Sequence, residues 1–155
     1  MYRRLIATLF SIASEFFMIR HATVADRARI SEVRNAVREN QLSPSNVSKV
    51  ADTARWIYDN GTFWVWEEDG AVQGFAVADP RDGTIFGLFI HPSYEGRGIA
   101  RALLPLACND LREAGFAAAT LTTGAGTRAE RFYRADGWIE VGRQDDGEIV
   151  FRKGL

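Results

Sequence analysis

The sequence predicts a single domain of the mixed α/β (α+β) class, and three observations support that class. The 155 residues fit one domain, and 46% of them are hydrophobic, which is enough for a core. After residue 22, runs of β-branched and aromatic residues alternate with segments of helical spacing, in the order α, α, β, β, β, α, β, α, β, β. Glycine-rich turns join a strand to a helix at residues 96–98 and again at 124–126.

Local signals place each element along the chain. Thr23 and Asp26 are typical of a helix start, and the first helix is predicted to run to about Asn40. A second helix is predicted over 47–59, ended by Asn60-Gly61. The remaining predicted elements are strands 62–67, 72–78 and 84–90, a helix from 99, strand 117–122, helix 127–135, and strands 138–141 and 148–152.

Charge and cysteine content narrow the partners. The formal net charge is −1, with both signs spread along the chain, so we expect neither a nucleic-acid nor a membrane partner. Cys108 is the only cysteine, and it falls on the apolar face of the helix after the first glycine turn. It is therefore predicted to be a core thiol rather than a nucleophile. These features predict a cytoplasmic protein.

Residues 1–17 are predicted to form an amphipathic helix appended to a domain over residues 18–155. Polar residues from Ser11 onward interrupt the apolar stretch too early for a membrane span. The apolar positions at helical spacing are Tyr2, Leu5, Ile6, Leu9, Phe10, Ala13, Phe16 and Phe17. We expect this face to pack on its own domain or on a second copy of the chain, so a homodimer is one of two outcomes.

The turn at Gly96 and Gly98 is the first candidate binding site. It joins a buried strand, ended by Pro92, to a helix whose apolar face starts at Ile99. Glycines allow close approach of the backbone to a ligand, and the first amides of a helix favour anions. These features are typical of a phosphate cradle, although a purely structural turn has the same glycines.

The segment around this turn resembles the acyl-CoA signature of the GNAT acyltransferase superfamily. The matching residues are Leu88-Phe89-Ile90-His91-Pro92 and, after three intervening residues, Gly96-Arg97-Gly98-Ile99-Ala100. The family writes the loop as Arg/Gln-x-x-Gly-x-Gly/Ala, which Gly98 and Ala100 match, whereas Glu95 replaces the usual Arg or Gln. Residues 18–23 resemble the family's first strand, which makes Met18 an alternative start of the native protein.

A second glycine-rich segment has two interpretations. Residues 124–129 fit Gly-x-Gly-x-x-Ala, the dinucleotide-binding fingerprint, and would make the chain an oxidoreductase. That fingerprint opens a unit with further parallel strands, whereas only a helix and a hairpin remain here. Ala129, Phe132, Tyr133 and Gly137 instead resemble the second GNAT motif, Asn-x-x-Ala-x-x-Phe-Tyr-x-x-x-Gly-Phe. The family's fold is a mixed, mostly antiparallel sheet flanked by helices.

The resemblance implies an N-acetyltransferase that uses acetyl-CoA, with no metal, and transfers the acetyl group to a primary amine. The residues implied to contact acetyl-CoA are Leu88, Phe89, Ile90, Gly96, Arg97, Gly98, Ile99, Ala100, Arg101, Gly126 and Arg131. Tyr133 corresponds to the family's general acid toward the departing sulfur. Glu39, Asn40 and Trp64 are the candidate contacts to the amine acceptor.

The general base stays open, with Glu39, Glu67 and Asp79 as candidates by topology and a water-mediated route as the alternative. Two non-catalytic functions also stay open. The chain could bind acyl-CoA as a sensor, or it could be chiefly a dimerising scaffold. Binding of CoA and turnover of an amine would discriminate between these classes.

Overall fold

A computed structural model describes residues 16–40, 47–60 and 62–155. Within them, seven strands form one sheet in the order β1-β2-β3-β4-β5-β7-β6. The strands are β1 Phe17–His21, β2 Phe63–Glu68, β3 Ala71–Asp79, β4 Thr84–Ile90, β5 Ala118–Thr123, β6 Ile139–Arg143 and β7 Ile149–Gly154. All neighbouring strands pair antiparallel except β4 and β5. The predicted mixed and mostly antiparallel sheet is therefore confirmed.

Helices cover both faces of the sheet. They are α1 Arg27–Ala36, α2 Val47–Asn60, α3 Ile99–Glu113 and α4 Arg128–Ala135, and short 3₁₀ turns cover Val24–Asp26 and Pro92–Tyr94. The prediction that the first helix reaches Asn40 is wrong. Val37 already has extended backbone angles, and Asn40 has a φ of 57°. The chain thus leaves the helix four residues early and turns toward the sheet.

Each face of the sheet has its own core. On one face, α3 packs through Ile99, Leu103 and Leu111, and this core continues to Tyr133 of α4 and Phe151 of β7. On the other face, α1 and α2 pack on β2, β3 and β4 through a core of Ile30, Val33, Ile57, Phe63, Val65, Val72, Phe75 and Val77. Alternation along β4 puts Leu88 and Ile90 on the first face and Phe89 on the second.

The parallel strands β4 and β5 meet at one point and then separate. Thr84 pairs with Thr120, and the Thr120 amide donates to the Gly83 carbonyl at 3.1 Å. No further pair joins these strands among the described residues. The β5-facing edge of β4 is therefore open toward its carboxyl end.

The chain after the second glycine segment does not form a dinucleotide-binding unit. The strand that follows α4 is β6, which lies at the sheet edge and pairs antiparallel with β7. A dinucleotide fold would need a parallel strand there. The oxidoreductase alternative is therefore excluded by topology.

The predicted helix over residues 1–17 lies outside the described residues except for its last two positions. Phe17 is the first residue of β1 and stacks on Trp66, with ring centroids 3.8 Å apart. The first strand thus begins one residue before Met18. Phe16 precedes β1 and is 75% exposed.

Candidate functional site

A cleft of about 410 Å³ lies between the carboxyl end of β4, the amino end of α3 and α4. The connection after α1 closes one side of it. Its lining residues are Val37, Glu39, Asn40, Leu88, Phe89, Ile90, Tyr94, Glu95, Gly96, Gly98, Ile99, Ala100, Arg101, Arg128, Ala129, Phe132 and Tyr133. The structure thus brings together most of the residues that the two sequence motifs contain.

The open edge of β4 presents backbone polar groups to this cleft. The His91 amide donates to the Gln73 carbonyl of β3 at 2.7 Å. Successive residues of a strand direct their N–H and C=O groups to opposite sides. The backbone groups of Phe89 therefore point to β3, and those of Leu88 and Ile90 point to the open side. An extended ligand can pair with them as an additional strand does.

The glycine turn forms the start of α3. Gly96 and Gly98 have φ values of 74° and 82°, a left-handed conformation that side chains rarely adopt. The first helical hydrogen bond of α3 runs from the Ala102 amide to the Gly98 carbonyl, at 3.1 Å. The amides of Ile99 to Arg101 therefore have no acceptor within the helix. A Cβ added at Gly98 would meet no atom within 4 Å, so the space beside this residue at the start of α3 is open.

Charged side chains surround the mouth of the cleft. Glu95 and Arg128 form an ion pair at 2.9 Å, which links the glycine turn to α4. The Arg97 guanidinium lies 4.6 Å from the Tyr94 ring centroid and 3.8 Å from Glu68, and it does not line the cleft. Arg101 lines the cleft. The acid at position 95 thus neutralises one of the arginines that would otherwise face an anion.

Tyr133 lies at the inner end of the cleft with only 6% of its surface exposed. It packs edge-on against Trp138, with ring centroids 5.7 Å apart. Burial is the main reason that its pKa is raised above the usual value of about 10, with Cys108 and Asp136 adding to the effect. The phenol is therefore protonated at neutral pH and has a proton to donate.

Glu39 and Asn40 line the cleft, yet both are committed to the neighbouring backbone. Glu39 accepts a hydrogen bond from the Arg128 amide at 2.9 Å, and so caps the start of α4. Asn40 Oδ1 accepts from the Gly124 amide at 2.7 Å, and its Nδ2 donates to Thr123 Oγ1 at 3.1 Å. These residues fasten the connection after α1 to the turn between β5 and α4.

Three predicted site residues do not line the cleft. Trp64 donates from Nε1 to Asp110 at 2.8 Å and packs on His21, on the α3 side of the sheet. Gly126 donates its amide to Glu130 at 2.9 Å, and Arg131 is exposed on α4. A further sequence-predicted residue, Arg97, is turned away as described above.

Two of the carboxylates considered as general bases are held by arginines instead. Glu67 pairs with Arg20 at 2.8 Å, and Asp79 pairs with Arg81 at 2.7 Å. Neither lines the cleft. Burial raises the pKa of Cys108 to about 11, so this thiol stays protonated at neutral pH. That state is consistent with the predicted core thiol.

Sequence reasoning did not assign Val37, Tyr94, Ala129 and Phe132 to the site. Ala129 lies four residues before Tyr133, and this spacing puts both on one face of α4. Tyr94 lies between the two matching parts of the loop motif. The sequence therefore contained a signal for Ala129 and for Tyr94 as site residues. Val37 depends on the early end of α1, which no local signal indicates. Among the described residues, no cluster of histidine, cysteine, aspartate and glutamate could hold a metal ion.

The sequence matches a known protein family over most of its length. Residues 29–138 match the sequence model of the acetyltransferase (GNAT) family. No curated protein sequence matches the chain. Within the described part of the chain, no helix is long and apolar enough to cross a membrane.

Solved structures share the fold at low sequence identity. PaiA N-acetyltransferase from Thermoplasma acidophilum, in complex with coenzyme A, has a TM-score of 0.72 and 16% identity, over 90% of this chain and 99% of that one. YncA, a putative acetyltransferase from Salmonella typhimurium with acetyl-CoA, has a TM-score of 0.71 and 21% identity, over 91% and 95%. The ribosomal-protein-S18-alanine N-acetyltransferase from Escherichia coli has a TM-score of 0.68 and 18% identity, over 90% and 94%.

Proposed function

The chain belongs to the acetyltransferase (GNAT) family, and on that premise we propose that it transfers an acetyl group from acetyl-CoA to a primary amine. The observation that carries the proposal is the open edge of β4 beside the start of α3. The open edge of β4 offers unpaired backbone groups to an extended arm, and the start of α3 offers free amides to an anion. Acetyl-CoA has both parts in one molecule.

The residues of the cleft fit acetyl-CoA from end to end. The amides of Ile99, Ala100 and Arg101, preceded by two left-handed glycines, would hold the pyrophosphate. The backbone groups of Leu88 and Ile90 would hold the pantetheine arm by strand-like pairing. Acetyl-CoA supplies the activated thioester, and the protein supplies its position.

Tyr133 is proposed as the general acid of the reaction. Its hydroxyl is protonated at neutral pH because burial raises its pKa. It lines the same cleft as Leu88 and Ile90. A phenol there can give its proton to the departing sulfur, which makes the thiol a better leaving group.

Turnover with a panel of primary amines tests the proposal. The purified chain is mixed with acetyl-CoA and each amine, and release of the CoA thiol is followed together with acetyl-CoA binding. We expect binding and release of thiol in step with acetylated amine. Binding without turnover for any amine would instead support an acyl-CoA sensor. Absence of acetyl-CoA binding would contradict the proposed site altogether.

A further inference from the structure

A second cavity, of about 740 Å³, lies on the opposite face of the sheet from α3. It is enclosed by α1, α2 and strands β2 to β4. Its apolar walls contain five aromatic residues, Tyr58, Phe63, Phe75, Phe86 and Phe89, and the aliphatic residues Ile30, Ala51, Ala54 and Val77. Phe89 lines both this cavity and the cleft at the end of β4. The two spaces are therefore neighbours across one strand.

The polar groups of this cavity come chiefly from one stripe of α1. Arg27, Ser31 and Arg34 all line it, at the i, i+4 and i+7 spacing that puts residues on one helix face. Asn35 adds an amide. No aspartate or glutamate lines the cavity in the part of the chain that the structure describes. The cavity therefore combines apolar, partly aromatic walls with positive charge.

The half-buried guanidinium of Arg34 lines this cavity without a carboxylate beside it in the described residues. Its guanidinium lies 4.4 Å from the Phe89 ring centroid, and Nη1 and Nη2 share the Asn40 carbonyl at 3.3 and 3.4 Å. No carboxylate pairs with it within residues 16–40, 47–60 and 62–155. Burial lowers its pKa, because the cation is removed from water without an anion beside it.

Neighbouring arginines are satisfied differently. Arg20 holds Asp26 and Glu67, and Arg29, on the same helix as Arg34, holds Glu32 and the Val72 carbonyl. A half-buried cation that lacks such a partner is unfavourable, and the ring of Phe89 offsets only part of that cost. The guanidinium has five donors in a fixed fork, so donors remain for an anionic ligand.

We propose that this cavity binds the acceptor, and that the acceptor is an amine bearing a carboxylate and an apolar body. The proposal rests on the proposed acetyl transfer. Arg34 would take the carboxylate through its planar fork, and the aromatic walls would take the apolar part. The amine would reach past Phe89 to the edge of β4. This differs from the expectation that Glu39 and Asn40 receive the amine, since both are bound to backbone groups.

Matched sets of amines test the proposal on the wild-type protein. The sets are L-leucine, L-leucinamide and isoamylamine, and L-phenylalanine, L-phenylalaninamide and 2-phenylethylamine. We expect kcat/KM for the carboxylate-bearing member to exceed that of the others by about 10- to 100-fold, the range expected for a charged hydrogen-bonded pair. The amide's amine is less basic than that of the amino acid, so this comparison is biased against the proposal. Equal kcat/KM values within each set would overturn it.

Substitutions at Arg34 assign the preference to its guanidinium. Arg34→Met keeps an apolar stem and should remove the preference mainly through KM, with kcat changed by less than about threefold. Arg34→Lys keeps the charge without the fork and should retain part of the preference. Arg143→Met, an exposed site on β6, is the control and should behave as wild type. A preference that survives in Arg34→Met would refute the assignment.

Acetyl-CoA binding is measured in the same samples, so the two proposals fail separately. If acetyl-CoA binds and the amines react without preference, only the acceptor proposal fails. If acetyl-CoA does not bind, the proposed function fails, and titration of L-leucine against L-leucinamide into the protein alone still decides what the cavity prefers. If Arg34→Met does not fold, the wild-type sets and Arg34→Lys decide the matter.

Discussion

Replacement of Tyr133 by phenylalanine separates a proton donor from a structural tyrosine. The ring keeps its packing against Trp138 and Phe151, and only the hydroxyl is removed. Because the ring packing is kept, the free energy of unfolding should change by no more than about 1 kcal/mol, the net contribution of one ordinary hydrogen bond. If the hydroxyl donates the proton to sulfur, kcat should fall by about 10²- to 10⁴-fold.

The assay follows thiol release at saturating acetyl-CoA and amine, with acetyl-CoA affinity measured by titration calorimetry. Affinity should stay close to that of wild type. Tyr94→Phe is the matched control, since Tyr94 lines the same cleft and its hydroxyl donates to Asp69. We expect Tyr94→Phe to keep its kcat within about threefold, because its hydroxyl is not asked to transfer a proton.

The pH dependence adds a second readout. A general acid must be protonated, and the pKa of Tyr133 is raised by burial above its usual value of about 10. Ionisation of this phenol should therefore cause no loss of kcat on the alkaline side up to about pH 10. Undiminished kcat in Tyr133→Phe, or a loss of acetyl-CoA affinity equal to the loss in kcat, would refute the role of general acid.

Three further outcomes follow from the contacts. Glu95→Gln frees Arg128 and removes a negative charge beside the proposed phosphate site, so acetyl-CoA affinity should rise severalfold at low salt; unchanged affinity would contradict this placement. Asn40→Ala leaves the Gly124 amide without its acceptor, so the free energy of unfolding measured in urea should fall by about 1–3 kcal/mol. A loss below about 0.3 kcal/mol would show that this hydrogen bond contributes little to stability. The pKa of Asp26 is lowered to about 2, mainly by the guanidinium of Arg20 on β1. Its contribution of about 2 kcal/mol to the free energy of unfolding is therefore complete above about pH 4 and is lost as pH falls through 2. Acid titration of Asp26→Asn and of wild type should show their difference in stability disappear as pH falls from about 4 to about 2, the range between the unfolded and folded pKa values of Asp26.

The elements that depend on local signals could be predicted from the sequence. The glycine turn, β4 and the start of α3 are specified within the consecutive residues 84–101, and the predicted bounds of β4 agree with the structure. The fold class follows from such segments taken in order. The family motifs then connect the glycine turn with Tyr133, which the chain separates by more than thirty residues.

The remaining parts of the site depend on contacts distant in sequence. Asn40 bonds to a turn 84 residues away, and this contact coincides with the left-handed backbone that follows the early end of α1. Trp64, predicted as a contact to the acceptor, packs against α3 and Asp110 instead of lining the cleft, for a related reason. β2 is covered by helices on both faces, so its alternating bulky residues do not indicate which face meets the ligand.

Acetyl-CoA binding to Gly98→Asp and Gly147→Asp tests the central claim most directly. Both glycines have a left-handed φ, 82° and 86°, and at both an added Cβ would meet nothing within 4 Å, so the backbone strain is matched. Only position 98 faces the proposed phosphate site. We predict wild-type affinity for Gly147→Asp, and for Gly98→Asp a loss of most of the ~2.7 kcal/mol by which acetyl-CoA at 100 times its Kd stabilises the wild type. Equal affinity in the two variants would contradict the account and would place the phosphates elsewhere.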